Sequence, residues 1–541
     1  MEPKGLVMGI VKKLRGVLLG KRKDEARNFE KLKHLYSVNG KLMFVGDLLR
    51  RTTERTPLKS ALIDENQSIS YIQFYSRVVS FANLLLKKGV VPRDNVLLYC
   101  ENSIDFYVAY FAVWQIRACV VPVNTFLHEK ELAEIIQDAD PKVIVTKGLE
   151  AKLNKIVEEN HMEALPTVLN EESFLFRDSV AATVEEIDGG LVGDPLDSDE
   201  LCLLLYTSGT TGVPKGVMLS SRNIMANFLQ SASRLRGFAK GKERVLSVLP
   251  LFHVFAQNTC MWFPVFTGSS IIVVPRIERK HILAGLKRKP SVFFGFPALY
   301  GLLCLMKNAP LESIKLFISG ADAMPDKIRA AFSMLYGRKI CAGYGLTEAS
   351  PVVAINHIDG ECPSNYVGAP LYGIECEIRD ESGQSVGFDK VGTLWIRGDN
   401  IMLGYYKSKD ATDLILKDGW LNTGDLSTMD SMGNLIVQGR SKDLIIRNGI
   451  NIYPQEVENV LMRHPEVFKV AVIGRDEAVS GQVPIAFVAV RSPEKGFEAK
   501  LRFLCASNLA SYKIPRKFIC MEDLPMNSTG KIDKKRLRGD F

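Results

Sequence analysis

The chain has 541 residues, 46% of them hydrophobic and 24% charged, a balance typical of a soluble globular protein with two or more domains. It contains no run of about twenty apolar residues, so the sequence predicts no membrane-spanning helix. Its ten cysteines are scattered without a C-x-x-C pair, which argues against structural zinc and favours a reducing, cytoplasmic location. Any metal site should therefore use oxygen ligands.

The formal net charge of +8 is concentrated at the two ends of the chain. The first 40 residues hold ten Lys and Arg against four Asp and Glu, and the last 100 residues hold 17 against 12. No nucleic-acid-binding motif accompanies either basic region, so we expect no nucleic-acid partner.

Residues 1–40 form a basic segment whose first half has the spacing of an amphipathic helix. Its apolar residues fall within an arc of about 140° on a helical wheel, with most charges outside that arc. Such a helix can lie in a membrane interface, which would place the protein peripherally on the inner face of a membrane. The alternative is a helix docked on the main body with a solvated basic face. The apolar residues are Leu6, Val7, Ile10, Val11, Leu14, Val17 and Leu18.

From Gly46 to Lys147 the sequence alternates between helical and strand patterns, and the alternation resumes after residue 216. This alternation predicts parallel sheets covered by helices. Between residues 370 and 440, short strands with turn signals predict a β-rich region, and near residue 442 the pattern becomes that of a small α+β unit. The predicted fold is therefore α/β, with a large domain over 41–440 and a small, mobile α+β domain over 441–541.

One loop is rich in hydrogen-bond donors: Tyr206 to Gly216 reads YTSGTTGVPKG and follows the apolar strand pattern LCLLL. Its glycines let backbone N–H groups approach an anion, while its hydroxyls and lysine add donors and charge. It is not a Walker A loop, because Lys215 lies between Pro214 and Gly216 and no helical pattern begins there. Its glycine spacing also differs from the dinucleotide fingerprint. The loop indicates either a polyphosphate site or a polar surface loop.

Five further stretches have the composition of functional loops. Each also has a structural explanation: His253 can be a core residue, Asp425 a turn cap, Lys531 a solvated cation, and Glu348 a carboxylate at a helix N-terminus. The stretches are PLFHVFAQ (250–257), GYGLTE (343–348), WLNTGDL (420–426), GRSKDLIIRNGINIYPQEVE (439–458) and MNSTGKIDK (526–534).

Taken in order with YTSGTTGVPKG, these stretches resemble the adenylate-forming superfamily of acyl-CoA synthetases, luciferases and peptide-synthetase adenylation domains. The resemblance extends from about residue 45 to residue 535. Fatty acyl ligases are the most similar, in particular the synthetase half of 2-acylglycerophosphoethanolamine acyltransferase/acyl carrier protein synthetases, through the stretch TEASPVVAIN (347–356).

The resemblance implies that ATP activates a carboxylate as an acyl-adenylate, with Mg²⁺ as cofactor, and that a phosphopantetheine thiol then takes the acyl group. The implied phosphate cradle consists of Thr207, Ser208, Gly209, Thr210, Thr211, Gly212 and Lys215. The other implied site residues are Gly320 and Gly345 beside the nucleotide, Tyr344 on adenine, Thr347 at the α-phosphate, Glu348 and Thr207 at Mg²⁺, Asp425 and Arg440 at the ribose, His253 as a catalytic residue, Lys531 between carboxylate and nucleotide, and Lys442 at the hinge.

The substrate acid is expected to be a fatty acid. His253 is followed by Val254 rather than by the aspartate with which amino-acid-activating relatives meet the substrate amine. The apolar stretch Val292 to Met306, which contains the small residues Gly295, Ala298 and Gly301, indicates an alkyl slot or ordinary core. Gln257 stands where some long-chain ligases have a gating tryptophan, which leaves the chain length open.

The acceptor is expected to be coenzyme A or acyl carrier protein, because a basic small domain suits phosphates or an acidic protein. One alternative is a CoA ligase for an aryl or medium-chain acid. Another is a non-catalytic, membrane-associated protein that binds acyl-AMP or fatty acid. The failed Walker pattern disfavours a kinase or other NTPase.

Overall fold

The computed structural model describes residues 22–159, 166–174, 198–207, 214–306, 308–356, 366–447, 450–477, 481–491, 496–527 and 531–539. The predicted amphipathic residues 6–18 lie outside this set, as do the cradle residues Ser208, Gly209, Thr210, Thr211 and Gly212. The described residues have the predicted α/β architecture: parallel strands covered by helices, a β-rich region and a small α+β unit.

Two mainly parallel sheets form the body of the large domain. Strands of the first follow in the order Gly404–Tyr405, Lys215–Ser220, Leu201–Thr207, Cys119–Pro122, Asn95–Tyr99, Val143–Thr146 and Thr167–Leu169. Those of the second follow in the order Val352–Ile355, Cys341–Gly345, Leu316–Ser319, Val292–Gly295, Arg244–Ser247, Ser270–Val273, Ser60–Ile63 and Ser68–Ser70. Their continuous apolar runs fit strands that are covered on both faces.

Helices cover these two sheets. Ser70 caps the N-terminus of the helix Tyr71–Lys87, and Ser220 caps that of Ser221–Arg234. Each serine forms a capping box with the residue three positions later in the sequence. The apolar helix Ile104–Gln115 is buried along its length except at Asp105, which explains why the apolar run seen in the sequence belongs to the core. The helices are Asp47–Arg55, Tyr71–Lys87, Ile104–Gln115, Glu129–Ala139, Glu150–Glu159, Ser221–Arg234, Val254–Ala256, Phe263–Thr267, Arg279–Lys287, Pro297–Leu305, Asp326–Tyr336 and Lys409–Ile415, with a π-helix at Gln257–Trp262.

The β-rich region is an antiparallel sheet that ends the large domain. Its strands lie in the order Tyr366–Gly368, Leu435–Arg440, Trp420–Met429, Gly392–Arg397 and Glu375–Arg379, and Leu416–Lys417 pairs with Trp420–Met429.

The small domain is built on a separate sheet and has its own apolar clusters, distinct from the core of the large domain. A separate core is a requirement for a domain that moves as a unit. Its strands are Ile450–Ile452, Ile445–Arg447, Gly481–Ala489, Lys469–Glu477 and Lys517–Met521. Its helices are Pro454–Leu461, Phe497–Asn508 and Lys534–Gly539.

Residues 22–35 are helical and pack on the large domain. The carboxylate of Glu25 is 2.9 Å from Nε of Arg234, and the two side chains are only 7% and 6% exposed. Glu25 also accepts a hydrogen bond from the backbone N–H of Tyr372, and Arg234 donates to the carbonyl of Ile355. The second half of the segment 1–40 is therefore docked on the large domain, while the two alternatives for the amphipathic residues 6–18 stay predictions. Among the described residues, no helix is long and apolar enough to span a bilayer.

Candidate active site

A cleft of about 2040 Å³ lies between the large and small domains. Side chains from widely separated parts of the sequence converge on it, because it is bounded by strand ends of the large domain and by loops of the small domain. All the implied site residues that the structure describes line this cleft: Thr207, Lys215, His253, Gly320, Tyr344, Gly345, Thr347, Glu348, Asp425, Arg440, Lys442 and Lys531. Their individual roles stay predictions.

The two ends of the donor-rich loop form the base of a β-hairpin. Thr207 ends one strand and lies directly opposite Lys215, which begins the next. Lys215 thus opens a strand and not a helix, as expected from the failed Walker pattern. Its ammonium nitrogen lies 5.2 Å from the centroid of the Tyr405 ring, a cation–π distance that holds the charge at the cleft.

Tyr344, Asp425 and Arg440 form a polar cluster at the predicted ribose site. The Tyr344 hydroxyl donates to Oδ2 of Asp425 at 2.5 Å, and Nε of Arg440 lies 3.2 Å from Oδ1. Asp425 and Arg440 are directly paired neighbours on adjacent strands, which explains why residues 15 positions apart meet. Burial, together with the Asp425 charge, raises the pKa of the Tyr344 phenol well above its ordinary value, so the hydroxyl stays a donor.

Glu348 lies on a short 3₁₀ turn after the strand that carries Tyr344. Its Oε1 accepts a hydrogen bond of 2.9 Å from the Tyr405 hydroxyl. Gly345 precedes the turn at a point where a Cβ would lie 2.1 Å from the Pro351 carbonyl oxygen, so only glycine fits there. The glycine therefore permits the tight return of the chain that brings Thr347 and Glu348 to the cleft.

The oxygen groups on the cleft suit Mg²⁺. The structure brings no cluster of three or more His, Cys, Asp and Glu together among the residues that it describes. What it offers is the Glu348 carboxylate with the Thr207 and Thr347 hydroxyls on the same cleft. Mg²⁺ is commonly held by one or two carboxylates, water and substrate phosphate oxygens, so this donor set fits a nucleotide-bound ion.

Lys531 belongs to the small domain and lines the cleft. The side-chain oxygen of Asn527 accepts from the Lys531 backbone N–H at 2.9 Å, and the Asn527 N–H donates to the Lys531 carbonyl at 2.7 Å. Burial lowers the pKa of Lys531, and Arg440 lowers it further, whereas the negative charge of Asp322 opposes this change. The ammonium is thus placed among groups of the large domain.

His253 is neutral and has a defined tautomer. Burial, and secondarily the charge of Lys531, lower its pKa to about 4. Its Nδ1 accepts from the Phe255 backbone N–H at 3.3 Å, so the proton of the neutral ring resides on Nε2. His253 can therefore donate one hydrogen bond from Nε2, without adding a charge beside Lys531.

The connection between the domains is short. The strand Leu435–Arg440 ends the β-rich region, a 3₁₀ turn covers Ser441–Asp443, and the strand Ile445–Arg447 begins the small domain. Ser441 Oγ donates to the Gly424 carbonyl at 3.0 Å, and burial and Arg440 lower the pKa of Lys442. The domain boundary at 440–443 and the hinge role of Lys442 stay predictions.

Apolar residues line part of the same cleft, and we call this lining the apolar slot. Gly301 faces Ile328, whose Cδ1 would be 3.6 Å from an added Cβ. Burial raises the pKa of the Cys304 thiol. The slot lining includes Phe255, Phe294, Pro297, Ala298, Gly301, Leu302, Cys304, Leu305, Met324 and Ile328.

Gly295 and Gln257, which the sequence analysis considered together with the apolar stretch, lie in the core of the large domain. An added Cβ on Gly295 would be 3.0 Å from the rings of Phe293 and Tyr300, so Gly295 belongs to the core packing. Gln257 is fully buried, accepting from the Tyr110 hydroxyl at 3.0 Å and donating to the Leu251 carbonyl at 2.9 Å. Because both ends of its amide are bonded inside the core, Gln257 is held in place as a packing residue.

Sequence reasoning missed Tyr405 and Asp322, whose relevance depends on what they face in the fold. Tyr405 contacts both Lys215 and Glu348, and Asp322 acts on the Lys531 charge. Their polar side chains in GADAM (320–324) and GYYK (404–407) were the available signals.

The site geometry agrees with what the chain is similar to. Residues 49–406 match the AMP-binding enzyme family, and residues 456–531 match the C-terminal domain of AMP-binding enzymes. The chain belongs to the AMP-binding enzyme family. The adenylate-forming resemblance is thereby confirmed. The chain is an ATP-dependent, AMP-forming acyl-CoA ligase that acts through an acyl-adenylate.

Curated relatives and solved structures extend this agreement. The long-chain-fatty-acid–CoA ligase of Bacillus subtilis is 30% identical over 91% of this chain and 93% of its own length. ATP-bound MatB from Rhodopseudomonas palustris is 28% identical, with a TM-score of 0.80 over 92% of this chain and 98% of its own. A benzoate CoA ligase from Burkholderia xenovorans LB400 is 26% identical, with a TM-score of 0.80 over 92% and 100%. These neighbours confirm the predicted fold.

Proposed function

We propose that this AMP-binding enzyme activates a fatty acid with ATP and transfers it to coenzyme A. The observation that carries the proposal is that the apolar slot residues line the same cleft as Lys531, Glu348 and Asp425. A carboxylate entering with its alkyl tail in the slot would present its head group to the polar residues. The fatty-acid specificity of the 30% identical relative supports the same substrate class.

In the first half-reaction, a carboxylate oxygen of the acid attacks the α-phosphorus of ATP. The bond from this phosphorus to the oxygen bridging to the β-phosphate breaks, and pyrophosphate leaves. Lys531 would stabilise the negative charge that concentrates between the carboxylate and the α-phosphate. Lys215 would offset the charge of the outgoing phosphates, and Asp425 would accept hydrogen bonds from the ribose.

Mg²⁺, held by Glu348 with the Thr207 hydroxyl, would neutralise phosphate charge when bound with the nucleotide. His253 Nε2–H is available as a donor to an oxygen of the acid or of the adenylate. Tyr344 would pack its ring on adenine while its hydroxyl holds Asp425. Each of these tasks uses a side chain that already lines the cleft.

In the second half-reaction, the thiol sulfur attacks the acyl carbonyl carbon and its proton passes to solvent. The bond from this carbon to the phosphate oxygen then breaks, and AMP leaves. We propose that the small domain first rotates about Lys442, so that Lys531 leaves and the thiol gains access. The separate core of the small domain and the short 440–443 connection support this alternation.

A bulky aryl acid is the second candidate substrate, because a benzoate CoA ligase has the same fold. The slot favours an alkyl chain. The helix Pro297–Leu305 supplies much of the apolar lining and is roughly 12 Å long at about 1.5 Å per residue, so an alkyl chain could contact more of it than one aromatic ring could. Acyl carrier protein is the second candidate acceptor, supported by the basic residues of the small domain. A non-catalytic binder is disfavoured because every described catalytic position carries the residue type that the chemistry needs.

The deciding experiment is a pyrophosphate-release screen over carboxylates of increasing chain length and over aryl acids. It is repeated with coenzyme A and with holo-acyl carrier protein, and thioester formation is measured. We expect long-chain acids and coenzyme A to give the highest kcat/KM. A preference for benzoate-like acids would overturn the fatty-acid assignment, and activity only with the carrier protein would overturn the acceptor.

We also propose that the enzyme is cytoplasmic and that residues 1–21 make peripheral contact with anionic membranes, where insoluble fatty acids collect. The basic amphipathic pattern of this stretch supports the proposal, since apolar burial and charge act together at a membrane surface.

A further inference from the structure

The ammonium of Lys327 links the large domain to the small domain. Lys327 lies on the large-domain helix Asp326–Tyr336. Its Nζ lies 3.2, 2.7 and 3.1 Å from the backbone carbonyl oxygens of His464, Pro465 and Val467, which belong to the small domain. An ammonium has three donors, so these three carbonyls can use all of them. The contact joins one large-domain side chain to one small-domain turn.

The acceptors belong to a firmly packed turn. They follow the helix Pro454–Leu461, whose C-terminal end carries a partial negative charge that favours a nearby cation. His464 packs edge-on against Phe497, with ring centroids 4.9 Å apart, and Val467 is completely buried. The turn therefore moves with the body of the small domain and not independently of it.

The same helix is also connected to the loop that carries Lys531. Glu458 lies on this helix, and its Oε1 accepts from the backbone N–H of Val472 and from Nζ of Lys534, each at 2.7 Å. Lys534 is three residues beyond Lys531. A continuous set of contacts thus leads from Lys327 through the helix and Glu458 to the catalytic loop.

From these contacts we infer that Lys327 is an interdomain latch, a positioning residue that holds the small domain in the orientation that brings Lys531 to the cleft. This inference rests on the proposed alternation between two orientations. Rotation about the 440–443 connection moves the carbonyls away from Lys327, so all three bonds must break before thiol transfer. Lys327 is exposed, so water can replace the carbonyls when the domain leaves, and the latch can open in each cycle.

The test compares Lys327→Met, which keeps the aliphatic stem, with Lys327→Arg, which retains donors, and with the exposed control Lys339→Met. Pyrophosphate release from ATP and fatty acid measures adenylation, and synthetic acyl-adenylate with coenzyme A measures thiol transfer. We expect Lys327→Met to slow adenylation about tenfold, because water around this exposed site offsets part of the loss of the three hydrogen bonds, while transfer is unchanged or faster. Lys327→Arg should recover part of the adenylation rate, and Lys339→Met should match the wild type.

Equal slowing of both half-reactions, or no slowing of adenylation, would overturn the latch. Hydrogen–deuterium exchange of residues 462–468 gives a second readout that needs no substrate. Exchange should be faster in Lys327→Met than in the wild type, and identical exchange would also count against the latch. A wild-type enzyme that releases no pyrophosphate with any carboxylate would instead refute the proposed function, while the exchange result would still decide whether Lys327 holds the domains together.

Discussion

The Tyr344 hydroxyl donates a 2.5 Å hydrogen bond to the Asp425 carboxylate that we assign to the ribose. Tyr344→Phe keeps the ring but removes this bond, and we expect the KM for ATP to rise about tenfold because a hydrogen bond to a buried charged acceptor is lost. Tyr71→Phe is the control, since its hydroxyl bonds to the Ser269 carbonyl away from the cleft. Pyrophosphate release against ATP concentration measures both. An unchanged KM in Tyr344→Phe would show that the bond does not orient Asp425.

The pKa of His253 should report the orientation of the small domain. Burial, with Lys531 adding to it, lowers this pKa to about 4 from an ordinary value of 6.5. Because Lys531 accounts for part of the shift, Lys531→Ala should raise the pKa of His253 while leaving it below 6.5. Histidine ring signals in NMR titrations of the two proteins measure this. An identical titration in both would mean that Lys531 does not approach His253 in solution.

The same depressed pKa has a consequence for stability. The unfolded chain binds a proton at His253 more readily than the folded protein does, so protonation between about pH 6.5 and pH 4 favours unfolding. Stability from this group is complete above pH 6.5 and declines as the pH falls toward 4. The wild type should therefore lose more thermal stability between pH 7 and pH 5 than His253→Gln, as measured by calorimetry. Equal losses of thermal stability in the wild type and His253→Gln would indicate that the His253 ring is exposed to water.

Lys531→Ala should separate the two half-reactions. Removing one well-placed electrostatic stabiliser costs about 10²–10³ in rate, so acyl-adenylate formation should fall by that factor. Thiol transfer from synthetic acyl-adenylate should stay within a few-fold, since the proposed rotation takes the lysine out of the cleft before that step. Lys442→Pro should give the opposite pattern, with slow thioester formation. If Lys531→Ala slows both halves equally, the residue supports the fold and the alternation is wrong.

Glu348→Gln should raise the Mg²⁺ concentration needed for adenylation, because an amide keeps the shape but removes the charge that attracts the ion. Tyr405→Phe provides the matched comparison. It removes the hydroxyl that bonds to Glu348 and keeps the ring beside Lys215, so we expect a smaller change in the Mg²⁺ requirement. The measurement is the rate of pyrophosphate release as a function of Mg²⁺ concentration in the wild type and both variants. Superimposable curves for Glu348→Gln and the wild type would remove Glu348 from the metal site.

The N-terminal segment should divide into two functional parts. Deleting residues 1–21 should abolish sedimentation with anionic vesicles and leave both the melting temperature and activity on detergent-dispersed substrate unchanged. Glu25→Gln should instead leave sedimentation unchanged and lower the melting temperature, because breaking a buried pair with Arg234 costs about 3–5 kcal/mol. Vesicle binding that survives the deletion would refute the membrane proposal.

The fold class could be predicted from the sequence, because the hydrophobic periodicity and turn residues that specify each strand and helix are local features of the chain. Runs such as Val143–Thr146 and the capped helix Tyr71–Lys87 appear where their patterns predict them. The cleft residues were found because several short motifs occur in the order typical of the adenylate-forming superfamily, whereas each motif alone also had a structural explanation. Gly345 illustrates this, because the Pro351 carbonyl leaves no room for a side chain.

Other features depend on contacts between distant segments, which no local pattern encodes. In the sequence, Lys327 is an ordinary helix lysine. Its bond to the Pro465 carbonyl of the small domain is visible only in the structure. Gln257 stands where some long-chain ligases have a gating tryptophan, and only the fold shows that its amide bonds to the Tyr110 hydroxyl and the Leu251 carbonyl in the core. The neutral state of His253 likewise arises from burial and from a lysine 278 residues away in the sequence.

Cys304 gives the slot a chemical property that matters for an enzyme handling acyl-adenylates. An acyl-adenylate is an electrophile that reacts with thiols, and this enzyme keeps one of its own thiols in the wall of the substrate chamber. Since the thiolate is the nucleophile, the burial that raises the pKa of Cys304 keeps it protonated and poorly reactive. In the proposed function, the apolar lining that receives the fatty chain would therefore also keep this thiol from competing with the incoming acceptor.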